Sequence, residues 1–199
     1  MMASLPTLQE IQAGSSNALA VALEILFERS PVLINTLEPQ LRAILNLSPL
    51  LESYTQLVDS ALAQITSWDL SAQSRFISGH PRIGERKNLS KLSAKEQDSG
   101  VNLTSPEVLA RLAHLNAYYE VRYPGLRYIT FVNGRTRLAI AEEMEDMLCI
   151  PHSLSPVDPP LDTISIVDIS SEEWKKELDR AVLDVGKIAK NRLGALGVN

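Results

Sequence analysis

Apolar residues recur three and four positions apart along most of this 199-residue chain, which is the spacing of an amphipathic helix. A further apolar stretch covers residues 32–45. The predicted buried stripes are Leu19, Leu23, Leu26 and Phe27; Val58, Ala61, Leu62, Ile65 and Trp68; Val108, Leu112, Leu115 and Tyr119; and Trp174, Leu178, Val182, Val185, Ile188, Ala189 and Leu196. Helical periodicity therefore dominates the chain.

Polar caps and helix-breaking residues predict where these helices begin and end. A serine before a helix accepts a hydrogen bond from one of its first backbone amides, whereas proline and glycine favour a helix end. The predicted starts are Ser15 or Ser16, Ser53, Ser71, Ser105 followed by Pro106, and Ser170 or Ser171. The predicted ends are Ser30-Pro31, Gly79 and Tyr123-Pro124-Gly125, and Asn133-Gly134 turns the chain into a helix that reaches about Leu148.

Two regions depart from the helical pattern. Residues 127–132 (RYITFV) favour an extended conformation but are too few to form a sheet alone. Residues 151–169 begin with a proline-rich run and continue with an extended stretch, which indicates a loop insertion within one domain. The sequence therefore predicts an all-α fold over residues 1–199, a single-domain helical bundle of about seven to nine helices with one short extended segment.

Charge and hydropathy exclude several kinds of partner. The net charge is −5 and no long basic run is present, so we expect no nucleic acid partner. No stretch approaches the roughly 20 apolar residues of a membrane span, so we expect no membrane partner. The local basic cluster of Arg82, Arg86, Lys87 and Lys91 would suit a small anion, because such a site needs only a local positive field.

Cysteine usage and the two ends of the chain bear on metals and location. Cys149 is the only cysteine, which excludes an intrachain disulfide and a multi-thiolate metal site, and we expect it to be a small buried hydrophobe. No pair of histidines has metal-ligand spacing, so no metal is expected. The sequence shows no secretion signal, and it ends in Gly197-Val198-Asn199 and not in a Ser-Lys-Leu peroxisomal signal, so a cytoplasmic or peroxisomal location is expected.

His80 is the first candidate for chemistry. It follows a predicted helix end at Gly79 and precedes Pro81, which biases its backbone toward an extended conformation. An imidazole on so rigid a connection could protonate or orient a substrate near neutral pH. An ordinary hydrogen-bonded loop histidine fits the same position.

The next candidates lie a short distance further along, in Ser93-Ala94-Lys95-Glu96-Gln97. Ser-x-x-Glu at a helix start is a capping box, which explains Ser93 and Glu96 without any chemistry. The two interpretations are compatible, because a capped helix N-terminus also presents free amides to an anionic ligand. Gln97 adds an amide that could recognise a urea-like group.

Arg192 lies on the apolar stripe of the last predicted helix, together with Val185, Ile188 and Leu196. A guanidinium at such a position needs an acidic partner or an anionic ligand, unless it reaches solvent along its aliphatic stem. Asn116 raises a similar question beside Leu112, and structural hydrogen bonding is its expected role.

An ordered set of motifs, spread over most of the chain, resembles one known family. The set comprises Ser30-Pro31, Gly79-His80-Pro81 with Arg82-Ile83-Gly84-Glu85, Ser93-x-x-Glu96-Gln97, Asn116 with Tyr119, and Lys187-Ile188 with Arg192-Leu193. In this order the motifs resemble the 2-oxo-4-hydroxy-4-carboxy-5-ureidoimidazoline (OHCU) decarboxylases. Those enzymes use no cofactor and complete the route from urate to (S)-allantoin.

The resemblance implies a site and a reaction. It assigns catalysis to His80, Glu96 and Arg192, and it implies no metal and no cofactor. It also implies a small ureidoimidazoline substrate and a homodimer. The expected substrate-binding residues are Pro81, Ser93, Gln97, Tyr128, Ile129, Thr130, Phe131 and Val132.

The chain departs from the family pattern in three places. The usual aromatic-Gly-aromatic-Pro-aromatic run is replaced by Tyr123-Pro124-Gly125-Leu126-Arg127-Tyr128, residues 37–51 look inserted, and the connection over residues 151–169 is long. A second interpretation therefore remains open: a helical interaction module that keeps the fold without the activity. A hydrolase or deaminase acting on a related ureide is less favoured, because no metal ligands or activated nucleophile are evident.

Overall fold

The computed structural model describes residues 4–14, 17–47, 50–85 and 104–198. Within these ranges the protein forms eight α-helices and no strand, which confirms the all-α prediction and its helix number. The helices are α1 (Leu8–Gln12), α2 (Ala18–Phe27), α3 (Glu38–Leu47), α4 (Tyr54–Thr66), α5 (Leu70–Ser78), α6 (Pro106–Arg122), α7 (Arg137–Leu148) and α8 (Glu172–Leu196). No helix in these ranges is both long enough and apolar enough to cross a bilayer.

The chain forms two compact units. The first contains Met1–His80 and Leu178–Asn199, so it includes helices α1 to α5 and most of α8. The second contains Pro81–Glu177, with α6, α7 and the first residues of α8. The boundary after His80 falls inside the His80-Pro81 dipeptide that the sequence singles out.

Most predicted helix starts are confirmed by side-chain caps. The hydroxyl of Ser53 accepts from the Gln56 amide at 3.1 Å, and Ser105 and Ser171 cap α6 and α8 in the same way. The predicted start of α5 at Ser71 is wrong, because Asp69 caps that helix by accepting from the Ala72 amide at 2.8 Å. Ser15 and Ser16 lie outside the described residues.

A π-helical turn, Leu33–Leu37, precedes α3 within the apolar stretch over residues 32–45. Pro39 lies just after the turn and has no backbone N–H to donate to the carbonyl one turn earlier. The preceding amide, that of Glu38, reaches back five residues to the Leu33 carbonyl instead. The wider turn thus accommodates a proline at the start of a helix.

The core of the first unit comes from the predicted stripes. Leu19, Leu23, Leu26 and Phe27 of α2 are buried, as are Val58, Ala61 and Ile65 of α4. The stripe of α8 is buried at Leu178, Val182, Val185 and Ala189, whereas Ile188 and Leu196 are only half-buried. Leu62 and Trp68 are also half-buried, and Trp68 lies beyond the end of α4.

The second unit is organised around α6 and α7. Arg111 of α6 is fully buried, and its Nε donates to the Glu145 carboxylate of α7 at 2.7 Å. The same guanidinium donates to the carbonyls of Ser155 and Asp158. These bonds hold the proline-rich part of residues 151–169 against two helices, and the rest of that connection contains one 3₁₀ turn, Leu161–Thr163.

The prediction that Cys149 is buried is wrong. Its side chain is exposed, and its backbone adopts the left-handed conformation (φ 56°) that ends α7. Its amide donates to the Asp146 carbonyl at 3.1 Å, so the residue serves as the helix cap. The apolar periodicity of the helix therefore stops one residue earlier, at the buried Leu148.

Candidate functional site

His80 follows the last turn of α5 in the first unit. Its backbone amide donates to the Ile77 carbonyl at 3.1 Å, and its ring packs edge-on against Phe76 with 4.9 Å between the ring centroids. Only 7% of the residue is exposed. The last turn of α5 therefore holds both the backbone of His80, through Ile77, and its buried ring, through Phe76.

A close contact explains the glycine before His80. Gly79 is the C-terminal cap of α5, which confirms the predicted helix end, and its φ of −73° is a right-handed conformation that any residue adopts. A Cβ added there would lie 2.8 Å from the Cβ of Ser30. Because Ser30 is itself buried, the glycine is required by the contact between the Ser30-Pro31 and Gly79-His80-Pro81 motifs.

Replacing Gly79 with alanine should therefore destabilise the first unit and displace His80. We expect Gly79→Ala to cost about 1–3 kcal/mol through overpacking. Adding Ser30→Gly should recover most of this cost, because it removes the opposing Cβ. Ser30→Ala is the matched control, since it removes the cap to the Leu33 amide but keeps the Cβ. Urea unfolding of wild type, Gly79→Ala, Ser30→Gly and the double variant would contradict the contact if the effects of the two substitutions were simply additive.

The hydrogen bond to Phe76 sets the tautomer of His80. The ring Nδ1 lies 3.0 Å from the Phe76 carbonyl oxygen, which only accepts, so Nδ1 carries the proton and Nε2 is the basic nitrogen. Burial lowers the pKa of His80 from 6.5 to about 4. The hydrogen bond to the Phe76 carbonyl and the negative charge of Glu28 oppose this shift, whereas the positive charge of Arg192 adds to it. The imidazole is therefore neutral near pH 7 and presents an acceptor.

Arg192 lies on α8 in the same unit and is 2% exposed. Its Nη1 donates to the carbonyls of Ile25 and Leu26 at 3.1 and 3.2 Å, which belong to the last turn of α2. Its Nη2 donates to the Glu28 carboxylate at 2.7 Å. The guanidinium thus satisfies helix-end carbonyls and forms an ion pair, which is the acidic partner its place on an apolar stripe requires.

Glu28 is the member of this cluster that sequence reasoning missed. It directly follows α2 and its backbone has φ 67° and ψ 144°, a combination that strains a residue with a side chain. Its side chain is 12% exposed and is paired with Arg192. The sequence did offer one indication of Glu28: it is a glutamate two residues before Ser30-Pro31, the predicted end of this helix.

The structure brings together two of the three residues predicted to be catalytic. His80 and Arg192 both lie in the first unit, where Arg192 binds the end of α2 and Glu28, and where Gly79, the residue before His80, packs against Ser30. Glu96, together with Ser93 and Gln97, lies outside the described residues, as do Arg86, Lys87 and Lys91. Of the three expected catalytic residues, the structure therefore describes His80 and Arg192 but not Glu96.

Residues 81–85 form a tight turn on α6 in the second unit. The Glu85 amide donates to the Arg82 carbonyl at 3.2 Å, and Gly84 adopts φ 81°, a left-handed conformation that favours glycine. Asn116 donates to the Ile83 carbonyl at 2.9 Å, so its structural role is confirmed. Pro81, an expected substrate contact, is half-buried at the start of this turn.

The expected substrate-binding segment, residues 128–132, forms no strand. Hydrogen bonds to Glu143 of α7 and to Arg135, which precedes α7, hold it in place. Tyr128, Ile129 and Thr130 are buried, and Phe131 and Val132 are half-buried. The hydroxyls of Tyr128 and Thr130 donate to the Glu143 carboxylate at 2.7 and 2.9 Å. Arg135 donates to the Val132 carbonyl at 3.0 Å and to the Phe131 carbonyl.

These features define a class: an all-α protein with a buried, neutral histidine beside an arginine–glutamate pair. A family model described as OHCU decarboxylase matches residues 12–149, and the chain belongs to this family. Membership of this family supports a decarboxylase role in urate degradation. No curated protein and no solved structure gives a significant match. The matched range includes His80 and the positions of Ser93, Glu96 and Gln97, and it ends before Arg192.

Proposed function

We propose that the protein converts 2-oxo-4-hydroxy-4-carboxy-5-ureidoimidazoline to (S)-allantoin without a metal or organic cofactor. The observation that carries this proposal is the buried, neutral His80 beside the Arg192–Glu28 pair, within a chain of the decarboxylase family. The substrate has a carboxylate on a tetrahedral ring carbon. When that carbon–carbon bond breaks, carbon dioxide leaves and the electron pair passes into the adjacent imine. The substrate thus accepts the electrons itself, and a proton is then added to one face of the ring.

His80 is assigned the proton-handling role. Its Nε2 is the basic nitrogen, because Nδ1 is bonded to the Phe76 carbonyl. A neutral imidazole can accept a hydrogen bond from a substrate hydroxyl or acid and direct that proton during the reaction. A fixed ring geometry favours addition to a single face, so the product is a single enantiomer.

Arg192 and Glu96 are assigned complementary roles. A guanidinium held in a buried environment stabilises negative charge that develops on a substrate oxygen, and it is preorganised by its bonds to α2. Glu96, with Gln97, would hold the ring and ureido nitrogens. Main-chain groups of residues 128–132 are proposed to contribute further contacts with the substrate. These assignments for Glu96, Gln97 and residues 128–132 rest on the family resemblance.

The test is to supply freshly prepared substrate and follow both its decay and the chirality of the allantoin formed. We expect faster decay than in buffer and an excess of the S enantiomer. Racemic product at the uncatalysed rate would remove the enzyme hypothesis. A preparation of the protein unfolded by heat is the control for adventitious catalysis.

A second candidate function is a helical interaction module that keeps the fold without the activity. The observation that favours it is the pairing of Arg192 with Glu28 and two helix carbonyls, since this gives the arginine a sufficient structural role. The two functions differ in their expected product: a silent module would leave the substrate to decay to racemic allantoin. We further propose a homodimer, which sedimentation of the purified protein would test.

A further inference from the structure

Glu28 occupies an unusual position for a glutamate. It directly follows the last residue of α2, and its φ of 67° lies in the region that favours glycine. A strained residue of this kind persists where its surroundings hold it, and such residues are concentrated at functional sites. The surroundings that hold Glu28 include the guanidinium of Arg192, 2.7 Å from its carboxylate.

The Glu28–Arg192 pair differs from the other arginine–glutamate pairs of the first unit. Its two side chains are only 12% and 3% exposed, whereas those of Glu38 and Arg42 are 21% and 24% exposed at a similar separation of 2.8 Å. Charges removed from water interact strongly with their neighbours. His80 is placed near this pair because Gly79, the residue before it, packs against Ser30, two residues after Glu28: a Cβ added at Gly79 would lie 2.8 Å from the Ser30 Cβ.

We propose that Glu28 is a positioning residue of this site, whose carboxylate fixes the Arg192 guanidinium beside His80 and offsets its positive charge there. This inference rests on the proposed function. Glu28 acts through Arg192 and is not itself assigned a contact with substrate. Without the carboxylate, the guanidinium would keep its two bonds to the α2 carbonyls but lose its ion pair with Glu28.

The first test compares Glu28→Gln with the matched control Glu38→Gln by steady-state kinetics. Glutamine keeps the size of the side chain and an accepting oxygen, but it removes the charge. A small displacement of a group that stabilises the transition state costs up to about a hundredfold in rate. We therefore expect kcat of Glu28→Gln to fall roughly ten- to a hundredfold, with a smaller change in KM. The Glu38→Gln protein should stay within about twofold of wild type.

The second test does not depend on activity. In ¹⁵N-labelled protein, the ring nitrogens of His80 report its protonation as the pH is lowered. The negative charge of Glu28 raises the pKa of His80, so removing that charge should move the His80 midpoint to lower pH in Glu28→Gln. The midpoint of the exposed His152, which lies 2.8 Å from Asp146, should not move.

The outcomes separate this proposal from the proposed function. An inactive wild-type protein removes the decarboxylase assignment, whereas a His80 midpoint that still shifts in Glu28→Gln supports the positioning role. A Glu28→Gln protein with wild-type kcat and an unchanged His80 midpoint overturns it, even if its melting temperature is lower, because the glutamate would then only cap α2. If Glu28→Gln does not fold, Glu28→Asp replaces it: a carboxylate one methylene shorter should still lower kcat, and a wild-type kcat would overturn the proposal.

Discussion

His80→Asn should abolish enantioselective turnover while the protein stays folded. The asparagine amide can donate to the Phe76 carbonyl in place of Nδ1, so the structural hydrogen bond is kept. It has no equivalent of Nε2, the basic nitrogen that the proposed reaction uses. Proton transfer by a positioned side chain contributes roughly 10²- to 10⁴-fold, and we expect kcat to fall by about a thousandfold. Polarimetry or chiral chromatography of the product gives the measurement.

The control for this prediction is His152→Asn, which changes an exposed histidine paired with Asp146. It should leave turnover unchanged, and circular dichroism should show the same helical signal for both variants. If His80→Asn retained the wild-type rate and product chirality, His80 would have no part in the reaction.

The same variant also tests the buried, neutral state of His80 through the pH dependence of stability. The pKa of this imidazole in the folded protein is about 4 and its ordinary value is 6.5, so the unfolded chain takes up a proton first as the pH falls. The folded state is therefore penalised progressively from pH 6.5 down to about 4, by a total of about 3 kcal/mol. His80→Asn should lack this loss. Urea unfolding at pH 7 and pH 4 would contradict the burial argument if wild type and variant lost equal stability.

Much of the fold could be predicted because helices are encoded by nearby residues. The stripes of α2 and α6 are buried at every predicted position, and Ser53, Ser105 and Ser171 act as caps where the sequence places them. An error arose at the start of α5, where the prediction placed the helix start at Ser71. The helix begins one residue earlier, because Asp69 caps it by accepting from the Ala72 amide.

The candidate site was harder to predict because its contacts join distant parts of the chain. An arginine on an apolar stripe needs an acidic partner or an anionic ligand unless it reaches solvent, and that much followed from the sequence around Arg192. The identity of the partner did not, because Glu28 lies 164 positions away and is not part of a recognisable motif. The contact between Gly79 and Ser30 was hidden for the same reason: a glycine after a helix suggests a left-handed cap, and only the fold reveals a steric requirement.

Arg192→Met should produce the largest loss of stability among the variants considered. Methionine fills a similar volume on α8 but leaves the Glu28 carboxylate without its guanidinium and the Ile25 and Leu26 carbonyls without their donor. Breaking a buried ion pair in this way costs roughly 3–5 kcal/mol, because the remaining charge stays desolvated. We expect a loss of that size in urea unfolding at pH 7. Adding Glu28→Gln should recover part of it, because the variant then carries no desolvated carboxylate charge at this position.

Arg42→Met is the matched control, because Arg42 also binds a glutamate at 2.8 Å and a backbone carbonyl, that of Ile11, at 3.2 Å. Its pair is more exposed to solvent, so the loss should be about 1 kcal/mol or less. Equal losses in the two variants would contradict the importance of burial at Arg192.

Arg192→Lys then separates the two candidate functions. Lysine keeps the charge without the forked geometry, so a decarboxylase should lose turnover more steeply than stability, whereas a silent module has only stability to lose.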